Sequence, residues 1–371
     1  MPRYAHITGW GMAVPDRILT NAELAQMVET SDEWIVTRTG IRERRIASPE
    51  QSSATLAVEA ALKALEVAKL KPTELELIIV TSSSPEHILP ATACLVQDQI
   101  GASKAGAFDL SAACSGFIYA LNVATQLIRS GSLENALVIG AETLSRFTDW
   151  EDRNTCILFG DGAGAFVLQA SDEPGGLLSA VMRSDGSGGD LLSIPAGGSK
   201  LPASAETVRR KQHFIQMNGR EVFRFASRVM EQSTRQALEK ANIPLDEVQL
   251  VIPHQANRRI IESAARALQI PLERCVINVE RYGNTSTASI PIATIEALAE
   301  GRLKAGDKVV FVGFGGGLTW GAAVAIWTGP LPARRKVRPA SYRLWARLRS
   351  FLRRVLRRVE GWLWGSEAAE G

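Results

Sequence analysis

Residues 162–168 read GAGAFVL and residues 321–327 read GAAVAIW, two apolar stretches of small residues with the same cadence. Read backwards from each, the chain shows the same order of elements twice. Before the first stretch, Leu56, Ala60, Lys63, Ala64 and Val67 recur at three- and four-residue spacing and predict a helix over Ser53–Ala68, which Pro72 forces to exit. A buried strand over Leu77–Thr81 follows, then a helix over Ala91–Ile100, a strand ending near Leu110, a helix from about Ser115 to Ser130 and a strand at Ala136–Gly140. Before the second stretch come a helix over Glu221–Ala241, a strand at Val248–Ile252, a helix over Asn257–Leu268, a strand at Val276–Val279, a helix near Ser286–Glu300 and a strand at Lys308–Gly313. A repeated order of strand and helix predicts two pseudo-symmetric α/β halves packed in layers, with largely parallel sheets. The expected units are 1–172, 173–329 and a C-terminal extension, 330–371.

Composition narrows the class. At 371 residues, 46% hydrophobic and 22% charged, the chain has the make-up of a soluble globular protein. Its longest apolar runs, such as Val309–Phe314, are strand-sized and far below the roughly 20 residues that span a bilayer. The N-terminus lacks the pattern of a secretory signal, so a cytoplasmic location is expected. Cys94, Cys114, Cys156 and Cys275 are scattered, with no CxxC pair and no histidine at ligand spacing, so neither disulfides nor a metal site is indicated. Net charge is +3, but the ten Arg, one Lys and three Glu after residue 330 amount to +8 and leave −5 for the rest.

Open α/β sheets bind ligands at the C-terminal ends of their strands. Three polar residues follow such ends: Cys114 in FDLSAACSGF (108–117), His254 in VIPHQANRR (251–259) and Asn284 in YGNTSTAS (282–289). Cys114 lies 32 residues after Ser82, and Asn284 lies 30 after His254. A cysteine where small residues turn into a helix feels the positive end of the dipole, which lowers a thiol pKa and suits a nucleophile. Buried structural cysteines are commoner, and Cys94, Cys156 and Cys275 are read that way. A Cys with distant His and Asn also describes a papain-like protease or acyltransferase, so the flanking sequence must decide.

Those flanks resemble the β-ketoacyl-acyl carrier protein synthase III family of the thiolase superfamily. The resemblance runs from about Tyr4 to Trp327 and is carried by TSDEWIVTRTGIRER (30–44), AACSGF (112–117), FGDGAGA (159–165), PHQAN (253–257), GNTS (283–286) and FGGGLTWG (314–321). It implies a thiolase-like αβαβα fold and decarboxylative Claisen condensation of an acyl-CoA primer, acetyl-CoA foremost, with malonyl-acyl carrier protein, and no cofactor. By resemblance Cys114 carries the acyl group, His254 and Asn284 stabilise charge on the malonyl thioester oxygen, and the backbone amides of Cys114 and Gly316 form an oxyanion hole. The Gly315–Gly317 run lacks the Lys and Ser/Thr of a phosphate loop.

Further roles follow from the same resemblance. Trp34 and Arg38 match clamps on the CoA adenine, and Arg153 a contact near the nucleotide phosphates. Gly219, Phe223 and Asn257 match residues along the pantetheine arm, with Arg220 a departure from the asparagine of relatives. Arg224, Arg259 and Arg266 are expected to attract an acidic carrier protein at the tunnel mouth. A homodimer is expected, in which the 86–91 loop caps the partner's acyl pocket with Leu89. A thiolase would need a second catalytic cysteine where Phe314 stands, and a hydroxymethylglutaryl-CoA synthase an acidic base. A synthase priming polyketide or other specialised chains shares all of these features. A non-catalytic carrier-binding or membrane-scaffolding partner is the rival from another class, and such a protein would typically lose the nucleophile that Cys114 provides.

Beyond the resemblance lies the tail. Leu344, Leu348, Phe351, Leu352, Val355, Leu356, Val359, Trp362 and Leu363 share one helical face, with Arg343, Arg347, Arg349, Arg353, Arg354, Arg357 and Arg358 mostly on the other. Such a basic amphipathic helix is expected to make peripheral contact with an anionic membrane through residues 341–364, with packing onto the enzyme's own surface or its dimer partner as the alternative, while no nucleic-acid partner is expected.

Overall fold

The computed structural model describes residues 3–330 and 337–364, with side chains to Val359. In the first half, strand β1 (Tyr4–Ala13) leads to helices α1 (Asp32–Thr39) and α2 (Ser53–Ala68), strand β2 (Leu77–Thr81), helix α3 (Thr92–Ile100), strand β3 (Gly106–Leu110), helix α4 (Gly116–Arg129) and strands β4 (Asn135–Thr143) and β5 (Asp161–Ser171). The second half runs through β6 (Gly176–Ser184), α5 (Gly219–Ala241), β7 (Leu250–Pro253), α6 (Arg258–Leu268), α7 (Ser289–Ala299), β8 (Lys308–Gly315) and β9 (Thr319–Ile326). Helix α8 (Pro339–Trp364) ends the described chain.

Local chemistry explains the boundaries. Ser31 caps α1 by accepting from the Trp34 N–H, Asp32 and Glu33 sit in its positive first turn, and Gly40 ends it at φ 79°. Ser52 and Thr55 form a reciprocal cap on α2.

The sheets have orders β1-β5-β4-β2-β3 and β7-β8-β9-β6. The second, read backwards, superimposes on the first: GAGAFVL lies in β5 and GAAVAIW in β9, each second from one edge. Between the sheets, α4 contributes Phe117, Ile118 and Leu121, and α7 contributes Ile290, Ala293 and Ala297, to one core with Ile7, Phe166, Phe311 and Trp327. Helices α2 and α3 cover the outer face of the first sheet, and α5 and α6 that of the second. The five αβαβα layers therefore appear. Small residues in the repeat let the middle layer settle closely: a Cβ at Gly164 would lie 2.6 Å from Pro291 of α7.

Three sequence expectations need correction. The sheets are mixed: β2 pairs in parallel with β3 and β4, and β7 with β8, but the β1–β5, β4–β5, β8–β9 and β9–β6 ladders are antiparallel. The GAGAFVL and GAAVAIW strands return without a crossover helix, which alternation alone did not reveal. Val276–Val279 is no strand. Only a single bridge links Val251 to Cys275, because the Gln255 side chain takes up the Val276 carbonyl and the Asn278 N–H, and a short helix starts at Val279. Cys94, read as buried, is exposed on α3, while Cys156 and Cys275 are buried.

Candidate active site

Both internal helices are entered through the same turn. A residue in the left-handed region lies three positions ahead of each, Ala113 at φ 46° before Gly116 and Ser286 at φ 47° before Ser289. The first turn presents Cys114 and the second follows Asn284, so the duplicated motif faces itself across the interior.

Each half fixes the other's turn. Thr81 and Thr287 hydroxyls meet at 2.5 Å, and the Ser115 hydroxyl donates to Thr319 Oγ1 at 2.9 Å. Asn284 bridges Phe159 in parallel, its N–H donating to Leu158 O at 2.8 Å. Gly315 lies against the nucleophile turn so closely that a Cβ there would stand 2.6 Å from the Cys114 nitrogen.

Cys114, His254, Asn284, Phe314 and Gly315 line one narrow cavity of about 80 Å³, continued outward by Gly219, Phe223 and Asn257. A second cavity of about 230 Å³ begins on the other side of Cys114, between Gly316 and the apolar side chains of Leu144, Phe159, Leu192, Ile194 and Ile215. Sequence reading missed this apolar wall, whose residues come from four separate segments. A larger depression of about 790 Å³ around Asn122, Arg129 and Lys240 is open, and none of Cys114, His254 and Asn284 lines it.

His254 is held by a residue that its own sequence neighbourhood does not announce. Its Nδ1 lies 2.7 Å from Ser289 Oγ, which also accepts the Gln255 N–H at 3.3 Å. With its oxygen accepting from the Gln255 N–H, the Ser289 hydroxyl can donate its own proton to Nδ1, the arrangement that goes with the Nε2–H tautomer. Nε2 is buried and makes no hydrogen bond within the described structure. Phe314 packs edge-on to the imidazole at 5.3 Å, and burial pushes the His254 pKa down to about 3, so the ring stays neutral. Asn284 Oδ1 accepts from the Ser286 N–H at 2.8 Å, leaving its amide N–H groups for the cavity it lines.

The expected thiolate is corrected. Cys114 does lie at the start of the α4 turn, but burial pushes its thiol up to about 12, with the nearby Ser286 side chain acting the other way. Burial thus favours the protonated thiol over the thiolate at this position. Glu142, also unremarked in the sequence, is fully buried and accepts from the Ser83 and Ser84 N–H groups at 3.0 Å. Burial raises its pKa too, and it adds unfavourable negative charge near Cys114.

At the outer end, the Trp34 indole is flanked by two guanidiniums, Arg38 at 4.5 Å and Arg153 at 5.0 Å from the ring centre. Asn257 ties this rim to the cavity, donating to Arg38 O at 3.0 Å while capping α6. Arg259 lies over the Phe223 ring at 5.4 Å, and the next residue, Arg224, is exposed and paired with Glu221 one turn back at 3.2 Å. Arg266 is exposed two turns further along α6. Leu89 is 86% exposed beside Ile88 and lines neither of the cavities that meet at Cys114.

Comparison with known proteins agrees with this arrangement. The family described as 3-oxoacyl-[acyl-carrier-protein] synthase III matches residues 108–186, and its C-terminal counterpart matches residues 238–327. The β-ketoacyl-[acyl-carrier-protein] synthase III of Roseiflexus sp. (strain RS-1) is 53% identical over 328 residues, 88% of this chain and all of that protein. The same-named protein of Desulfitobacterium hafniense (strain DSM 10664 / DCB-2) is 56% identical over 322 residues, 87% of this chain and 97% of its own length. The crystal structure of 3-oxoacyl-[acyl-carrier-protein] synthase III from Aquifex aeolicus VF5 aligns with a TM-score of 0.80 at 50% identity, covering 87% of this chain and 99% of that one. With its duplicated turns, paired cavities and this degree of identity, the chain belongs to the β-ketoacyl-[acyl-carrier-protein] synthase III family.

Proposed function

We propose that this chain starts fatty-acid synthesis by condensing an acyl-CoA primer, acetyl-CoA first among them, with malonyl-acyl carrier protein. The observation that carries the reading is the unpaired Nε2 of a neutral, buried His254 sharing one cavity with Cys114 and Asn284. In the first step the Cys114 sulfur attacks the primer thioester, its proton leaves with CoA, and the Cys114 and Gly316 amides hold the oxyanion. In the second, His254 Nε2–H and the Asn284 amide hydrogen-bond the malonyl thioester oxygen. The bond to the carboxylate breaks, carbon dioxide leaves, and the enolate carbon attacks the acyl-cysteine. Collapse of that intermediate expels the Cys114 thiolate, which takes up a proton, and 3-oxoacyl-acyl carrier protein departs. A dry wall at Phe314 favours this loss of a charged carboxylate and keeps the imidazole neutral.

Trp34, Arg38 and Arg153 would hold the CoA nucleotide, with Gly219, Phe223 and Asn257 along the pantetheine arm. Arg224, Arg259 and Arg266 would receive the acidic carrier. The apolar cavity behind Cys114 would take the primer's acyl chain. The open edge of β3, with Phe108 39% exposed, and the exposed Ile88 and Leu89 support a homodimer in which each 86–91 loop closes the partner's acyl cavity. We place the boundary between halves near residue 172.

The test is acyl transfer and condensation by purified protein with malonyl-acyl carrier protein and a panel of acyl-CoA primers, against Cys114→Ala. Ketoacyl product that requires Cys114 supports the reading. Folded protein that makes no product with any primer overturns it.

A further inference from the structure

Helix α8 begins after the family match ends at Trp327, and it docks on the first half with the side opposite its apolar face. Its contacts are to α3 and α2. Ala346 and Ser350 are buried in that contact, Ser350 donating to Asp98 of α3, and Ala346 packs where Gly101 leaves room. By helical geometry, Leu344, Leu348, Phe351, Leu352, Val355, Leu356 and Val359 form an arc of about 140° on the far side, about 22 Å long. All are exposed, Leu344 and Trp345 by 72% and 70%. A buried helix would turn this face inward.

Charge says what covers it. No acidic residue occurs from 339 to 359, and arginines stand along both margins of the apolar arc: Arg347 and Arg358 on one, Arg349 and Arg353 on the other. A second copy of this helix laid on the arc would set those rows against each other. An anionic bilayer answers both features, taking the apolar arc among its acyl chains and the arginines among its phosphates. The remainder of the chain, at −5, would be held off such a surface without the tail. No helix among the described residues is long and apolar enough to cross a membrane, so the contact is one of lying on the surface. Trp362 and Leu363 fall on the same arc by sequence, and their side chains lie outside the described residues.

We propose that α8 is an in-plane anchor that seats the enzyme on anionic phospholipid surfaces, independently of its catalysis. The test is co-sedimentation of the full chain with vesicles of phosphatidylglycerol and phosphatidylcholine, compared with phosphatidylcholine alone. The variants are Leu348→Glu/Leu352→Glu and a chain ending at residue 330, each checked for unchanged condensation activity without vesicles. The full chain should bind anionic vesicles at least about tenfold more tightly than neutral ones, and both variants should lose about tenfold or more. Equal partitioning with and without the tail would overturn the proposal. So would a Leu348→Glu/Leu352→Glu effect on oligomeric mass with vesicle binding intact, since the arc would then be covered by a second copy.

Discussion

Replacing Ser289 with alanine isolates the histidine's part in the reaction. Among the described residues the hydroxyl is the hydrogen-bond partner of Nδ1 in a fully buried imidazole, at 2.7 Å, and it also accepts the Gln255 N–H. Its removal leaves Nδ1 unsatisfied in an apolar setting and releases the constraint that keeps the proton on Nε2. An unsatisfied buried group costs about 1–3 kcal/mol, and if that loss falls on the decarboxylation transition state the rate drops roughly 5- to 150-fold, with about thirtyfold central. Acylation of Cys114 does not use the imidazole proton and should stay within about twofold. The two steps can be read separately, acyl-enzyme by mass spectrometry after mixing with acyl-CoA, and carbon dioxide release from malonyl-acyl carrier protein by the preacylated enzyme. An equal fall in both steps, or full-speed decarboxylation in Ser289→Ala, would refute the assignment of the proton to Nε2.

Gly315→Ala should disturb the nucleophile directly, because its Cβ would lie 2.6 Å from the Cys114 nitrogen; acylation is expected to fall about a hundredfold while circular dichroism stays native. Arg44 is fully buried and donates to Leu19 O, Asn21 Oδ1 and Ile157 O at 3.1, 2.9 and 2.8 Å, so Arg44→Met should lower stability to urea by about 3 kcal/mol or more. The His254 pKa is depressed on folding, so the unfolded chain binds its proton first, and stability must fall as pH drops below about 6.5. In His254→Gln the stability difference between pH 7 and pH 5 should shrink, measured by urea unfolding at both. Ile194→Trp should fill the cavity behind Cys114 and raise KM for longer primers more than for acetyl-CoA.

The duplicated order of elements, the small-residue strands and the three polar residues after strand ends are plain in the sequence because each depends on local periodicity or on turn chemistry. Ser31, Asp32, Glu33 and Gly40 bound α1 by the same local chemistry, though that helix is not among the elements read from periodicity. Strand direction is different in kind: β5 and β9 run antiparallel to their neighbours, and no residue within them says so. Ser289 and Glu142 act through contacts 35 and 28 residues from the side chains they influence, and their own neighbours look like ordinary helix and strand. The thiol pKa was misjudged for a related reason. A helix start is visible in FDLSAACSGF, whereas the burial that acts against it depends on segments distant in sequence, such as those of Gly315 and Phe159 that share its cavities. For the tail, the two faces were legible, but which of them α3 would take depended on Asp98 and Gly101.

Because Cys114 is pressed against Gly315, Ser115 bonded to Thr319 and Asn284 bridged to Phe159, neither half of the chain contains a working centre. During synthesis the nucleophile emerges long before the strand that shapes its turn. A chain stalled after residue 171 contains every strand of the first sheet and Cys114, but neither the Gly315 nor the Thr319 that meets its turn. If Cys114 carries the acyl group, recovery of acyl transfer on refolding is expected to require the docking of the two sheets and not to precede it.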